Sequence, residues 1–171
     1  FGAFADGTAI PEPLRGMLFA IDPLHNEIIA SKWQVRGSTF ETVDRGAVVK
    51  SSDPAFRPVY LANAPDGSLH VADMYEFYIA HGQHYQNQID PTTGRIYRVA
   101  GEGMELENEL ALSALSNDDL ITLLDHPNKW HRRTAVRLLG ERGEEAVVPK
   151  LKELAVKGAG PAALHALWAL Y

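Results

Sequence analysis

The hydrophobic period of this chain changes once, near residue 100, and that single change divides it into a β-rich stretch and a helical one. Before it, apolar residues come in short runs punctuated by Pro, Gly and Asp. Met17-Leu18-Phe19-Ala20-Ile21 ends at Asp22-Pro23, and Glu27 to Val35 is broken by Arg36-Gly37. Ser38 to Val43 alternates, with Phe40 and Val43 on different faces, and Ala47-Val48-Val49 reads as a further strand stopped by Asp53-Pro54. The sharpest signal is Val59-Tyr60-Leu61-Ala62, then Pro65-Asp66-Gly67-Ser68, then Leu69-His70-Val71-Ala72. An Asp-Gly corner between two β-rich runs predicts a hairpin, because glycine accepts positive φ at little cost. A long polar excursion from Tyr75 to Thr93 precedes one more strand, Arg95 to Val99.

After Gly101-Glu102-Gly103 the spacing becomes helical. Ser116 and Asp119 form a capping-box pattern, followed by Leu120, Leu123 and Leu124 on one face. Pro127 stops that helix, Asn128 is placed to cap the next, and Gly143 closes it. Leu151, Leu154 and Ala155 then echo Leu120, Leu123 and Leu124. Ala166, Leu167, Ala169 and Leu170 likewise echo Ala135, Val136, Leu138 and Leu139. A repeat of this length predicts stacked helix pairs of the HEAT type, with Trp168 in their core.

The fold expected is therefore β then α: the C-terminal blades of a β-propeller over 1–100, a linker over 101–115, and a short HEAT-like solenoid over 116–171. A propeller typically closes with about 4–8 blades, and the strands here supply one or two. The last helix is apolar with no polar cap, where the end of a solenoid should face water. Both ends predict a piece of something longer, partnered by the remaining blades and repeats or by other subunits.

Charge and composition narrow the function classes. The net charge of −6 argues against a nucleic-acid surface. No apolar run approaches the roughly 18–20 residues that cross a bilayer. With no cysteine, disulfides, thiolate metal sites and covalently attached haem are excluded from this stretch. There is no glycine-rich phosphate loop, nucleophile elbow or dinucleotide fingerprint. Lys129 to Arg133 is a basic helix start, read as a surface ridge of the solenoid.

Phe56-Arg57-Pro58-Val59, then Ala64 to Tyr75, then Gly94-Arg95-Ile96-Tyr97-Arg98-Val99 resembles the closing propeller blade of the planctomycete-type membrane-bound dehydrogenases. Arg15 to Phe19 and Pro23 to Asn26 resemble the preceding blade. His126 to Arg132, Leu138 to Gly143 and Leu164 to Leu170 resemble the family's HEAT units. The resemblance implies an exported protein, periplasmic or membrane-associated, with a propeller similar to that of the sugar and sorbosone dehydrogenases. It implies oxidation of a sugar or alcohol, with pyrroloquinoline quinone or a c-type haem supplied outside this chain. The family's haem-attachment motif is absent here. Glu76 also stands where relatives often carry Arg or Asn.

Within that frame the stretch from Asp73 to His84 is the candidate site. His81 is the candidate base, oriented by Asp73 and accompanied by Tyr75; Arg57, Arg95 and His84 are the candidate substrate contacts. The structural alternative has Asp73 capping a turn, Tyr75 packed on the sheet, the histidines solvated and the arginines in ion pairs. His81 and His84 lack a third ligand, and Gly82 disfavours the helix that would aim both rings at one ion, so no metal is expected there. The competing class is a non-catalytic scaffold that binds protein or glycan partners.

Overall fold

The computed structural model describes residues 2–77, 90 and 92–171. The chain divides into two compact units, Phe1–Glu105 and Leu106–Tyr171.

The first unit holds two antiparallel sheets. Strands β1 (Gly2–Phe4), β2 (Leu18–Asp22), β3 (Glu27–Arg36) and β4 (Thr39–Lys50) form a four-stranded meander in chain order. Strands β5 (Pro58–Asn63), β6 (Leu69–Asp73) and β7 (Arg95–Val99) form a three-stranded one. Their shared core contains Phe19, Ile28 and Ala30 from the first sheet and Leu61, Leu69 and Val71 from the second. Asn63 staples the sheets: its side chain donates to the Phe4 carbonyl at 2.8 Å and accepts the Asp6 amide at 3.1 Å.

The Asp-Gly corner forms the hairpin its residues predict, joining β5 to β6 with Gly67 at φ 83°. Its carbonyl accepts the Ala9 amide at 2.9 Å. A Cβ on Gly7 would lie 2.0 Å from that same oxygen, so only glycine permits the approach.

The segments Ser38–Val43 and Ala47–Val49 are one strand, not two. β4 pairs with β3 throughout, and register shifts between Ile28 and Ile29 and between Ala30 and Ser31 absorb the irregularity around Gly46, whose φ is 93°. A bulge with a left-handed glycine looks like a strand break in one dimension and is a bend in a continuous ladder in three. Beyond Ser31, β3 pairs with β4 alone among the described residues, so the pair continues there as a two-stranded arm.

The second unit is helical: α1 (Asn117–Thr122), α2 (Lys129–Arg142), α3 (Val148–Lys157) and α4 (Gly160–Ala169). Ser116 and Asp119 make the reciprocal capping box, Asn128 accepts the Trp130 amide, and Gly143 ends α2 at φ 60°. Leu120, Leu124, Ala135, Leu138, Leu139, Leu151 and Ala166 are buried together. Leu112, inside the stretch read as linker, belongs to this core. Arg142 ties that stretch down by donating to the carbonyls of Ser113 and Leu115, both at 2.9 Å. Trp168 is not core: it is half exposed, edge-on to His165, because it lies off the face of α4 that carries Ala162 and Ala166. No helix among the described residues is long and apolar enough to cross a membrane.

Leu124→Ala should lower the stability of the helical unit by about 2–5 kcal/mol, read as a shifted urea midpoint by circular dichroism. At the β5–β6 corner, partial burial pushes the Asp66 carboxyl upward, but the Ser68 hydroxyl and amide and the Arg98 guanidinium outweigh it and hold it below the usual range. A depressed carboxyl contributes stability above its unfolded pKa and loses it as pH falls through the folded value. Asp66→Asn should therefore flatten the acid limb of a melting-temperature profile and leave its slope near neutral pH unchanged.

Candidate functional site

The burial of β6 alternates strictly, with Leu69, Val71 and Asp73 inside, so the period that packs two aliphatic residues also carries a carboxylate into the unit. Asp73 stands opposite Pro58 on one side and Arg95 on the other, at one end of the three-stranded sheet. Its Oδ1 accepts two backbone amides, Arg57 N at 2.7 Å and Tyr75 N at 2.9 Å. Among the described residues its Oδ2 is buried without a hydrogen-bond partner.

Arg57 is buried beside it and is held by carbonyls. Nη1 donates to Phe56 O at 3.1 Å and Nη2 to Phe77 O at 2.8 Å, while Nε is unpartnered among the described residues. Tyr75 adopts φ 55°, unusual for a residue with a Cβ, and Arg95 lies over its ring with Cζ 3.5 Å from the centroid. Four of the six sequence candidates, Arg57, Asp73, Tyr75 and Arg95, thus converge where the Tyr75–Thr93 excursion leaves the sheet and returns. His81 and His84 lie outside the described residues.

The converged groups differ in what they offer chemically. The Asp73 oxygen that is hydrogen-bonded is committed to amides, and the Arg57 guanidinium faces main-chain carbonyls. Arg95 and Tyr75 are the accessible pair. For pyrroloquinoline quinone, an anion with several carboxylates, Arg95 is the one accessible guanidinium in this cluster, which is a poor fit. A c-type haem needs cysteine thioethers, and the chain has none.

A second polar cluster lies in the helical unit, and the sequence reading missed it. Glu107 precedes the first helix, His126 follows the turn after α1, and His131 lies in the first turns of α2. Glu107 Oε2 is 2.5 Å from His131 Nε2 and 3.8 Å from His126 Nε2. The two rings lie 4.3 Å apart and are tilted by 31°. The Asn128 amide donates to His126 Nδ1 at 3.1 Å, which places the proton of the neutral ring on Nε2, toward the carboxylate. Asn128 Nδ2 reaches Glu107 Oε1 at 3.4 Å. The cluster lines a cavity of about 320 Å³ that is also lined by Leu112, Leu115 and Leu123. The available sequence signal was a pair of histidines astride a helix start. Glu107, in a stretch read as linker, carried no signal.

Residues 2–103 match the family model described as "Domain of unknown function (DUF7133)". The chain belongs to that family. Residues 108–170 match a model of HEAT repeats, which agrees with the two helix pairs and their common core. No curated protein and no solved structure matches the chain.

Asp73→Ala should leave the amides of Arg57 and Tyr75 unsatisfied and cost about 2–5 kcal/mol, while Asp73→Asn, which keeps an acceptor oxygen, should cost clearly less. Urea denaturation of the two variants side by side checks this ordering.

Proposed function

We propose that this chain is a binding scaffold, in which propeller-type sheets and a HEAT-repeat unit hold other polypeptide, and that the occupant of its β-arm is a further blade of the same exported protein. The observation that carries this reading is the arm itself. Directly opposed residues of an antiparallel pair share a face. Val35 opposite Phe40 and Trp33 opposite Thr42 therefore make one apolar side. The other side carries Lys32, Gln34 and the Arg36–Glu41 ion pair, with Val43 opposite Lys32 as its one large apolar residue among the paired positions 32–36 and 39–43. Val35 is 74% exposed, Phe40 56% and Trp33 39%, although Trp33 packs on Phe40 at 4.8 Å. A two-stranded ribbon with one apolar face is marginal alone and is stabilised when that face is covered. The four-stranded antiparallel meander from which the arm extends is the architecture of a propeller blade, and blades cover each other's faces. Leu164, Leu167 and Trp168 add a second apolar surface on α4.

Hydrogen exchange tests the reading. In the longer polypeptide that the resemblance implies, amides 32–46 should exchange at least about tenfold more slowly than in this chain alone. Val35→Ser with Phe40→Ser should abolish the difference. Equal rates in both polypeptides would rule out the proposed occupant.

The second reading is a sugar or alcohol dehydrogenase, supported by the resemblance and by the convergence of Arg57, Asp73, Tyr75 and Arg95. In it exposed Arg95 and half-buried Tyr75 contact substrate, and Asp73 orients a base on the excursion, for which His81 is the candidate. Dye-linked oxidation of aldoses by the full-length protein checks it. Tyr75→Phe and Arg95→Ala should each lower turnover about tenfold or more with unchanged melting, and wild-type rates in both would sink it.

A further inference from the structure

The geometry points to a divalent transition-metal site formed by Glu107, His126 and His131 in the helical unit. Two imidazole nitrogens and one carboxylate oxygen are the donor set that borderline ions such as zinc, cobalt and nickel take, whereas magnesium and calcium prefer oxygen alone. All three donor atoms lie within 4.8 Å of one another. Around a tetrahedral ion, bond lengths of about 2.0–2.2 Å place neighbouring donors roughly 3.3 Å apart. The 3.8 Å separation between Glu107 and His126 contracts slightly to reach that value, and the 2.5 Å contact between Glu107 and His131 opens.

The elements supply what a site of this kind requires. His131 is buried on α2, which fixes its ring, and Trp130 stands edge-on to it at 5.1 Å. Asn128, itself buried, orients the carboxylate through Oε1 and leaves Oε2 for the ion. The adjoining cavity has room for water to complete the coordination.

Binding has a definite proton consequence. An ion on Nε2 requires each neutral ring to carry its proton on Nδ1. For His131 the hydrogen bond to Glu107 is replaced by coordination. For His126 the shifted proton faces the Asn128 amide, so that backbone hydrogen bond must break when metal enters. The Asn128 amide therefore reports occupancy of this site, as an ion bound elsewhere on the surface would not.

The test uses the whole chain and the metals alone. Cobalt and zinc should each bind with one-to-one stoichiometry, cobalt developing the visible absorption of a low-coordinate site, and magnesium should not compete. Zinc should shift the ring nitrogens of His126 and His131 in nitrogen-15 spectra and speed exchange of the Asn128 amide. Glu107→Gln and His126→Ala, both at partly exposed positions, should weaken binding at least about tenfold while keeping the wild-type circular dichroism. If either variant fails to fold, the wild-type spectra decide. Saturating zinc that leaves both rings and the Asn128 amide unmoved overturns the site, as does unchanged affinity in folded Glu107→Gln.

Discussion

Much of the second sheet depends on one carboxylate that accepts two backbone amides. Asp73 Oδ1 receives Arg57 N, from the residue before β5, and Tyr75 N, just after β6. A buried amide left without an acceptor is costly, and here two amides are satisfied by one buried oxygen. The Met74 amide returns to the Arg57 carbonyl at 3.0 Å, closing the ladder beyond its last strand residue. Tyr75 is held at positive φ by this closure, and that turn aims its ring at Arg95. Packing, chain direction and the position of the candidate side chains all follow from the same contact.

That arrangement also separates the two functional readings. A carboxylate that orients a base must have an oxygen to spare, and Asp73 has Oδ2, buried and unpartnered among the described residues. An orphaned buried acceptor is costly, so it is either strain tolerated for function or the cost of the clamp. Arg57 gives Nη1 and Nη2 to main-chain carbonyls, the pattern of a structural brace. Fold does not decide between scaffold and enzyme. The amphipathic arm favours the scaffold, since Val35 and Phe40 on its apolar face stay more than half exposed even though Phe4 packs edge-on against Trp33.

The helical unit is organised in a similar way by polar groups at helix ends. Ser116, Asn128 and Gly143 satisfy the termini, and Arg142 gathers the segment before α1 by its carbonyls. Glu107, Asn128 and the two histidines extend that network from the preceding segment to the start of α2. A metal-ligand geometry can arise there because helix starts collect buried polar side chains that packing holds in place.

What the sequence alone determined was local. Period two made Leu69 and Val71 core residues, Gly67 required a left-handed corner, and Ser116 and Asn128 were set as caps by side-chain chemistry acting across a few residues. The convergence of Arg57, Asp73, Tyr75 and Arg95 was only half legible: their types and nearness to a loop were visible, but not that amides and carbonyls occupy the charged groups. Tertiary structure alone decided that β4 runs unbroken through a bulge, that Trp168 faces outward, and that Glu107 meets His126 and His131. Those outcomes depend on which distant side chains fill the same space, and no period along a chain encodes a contact made across it.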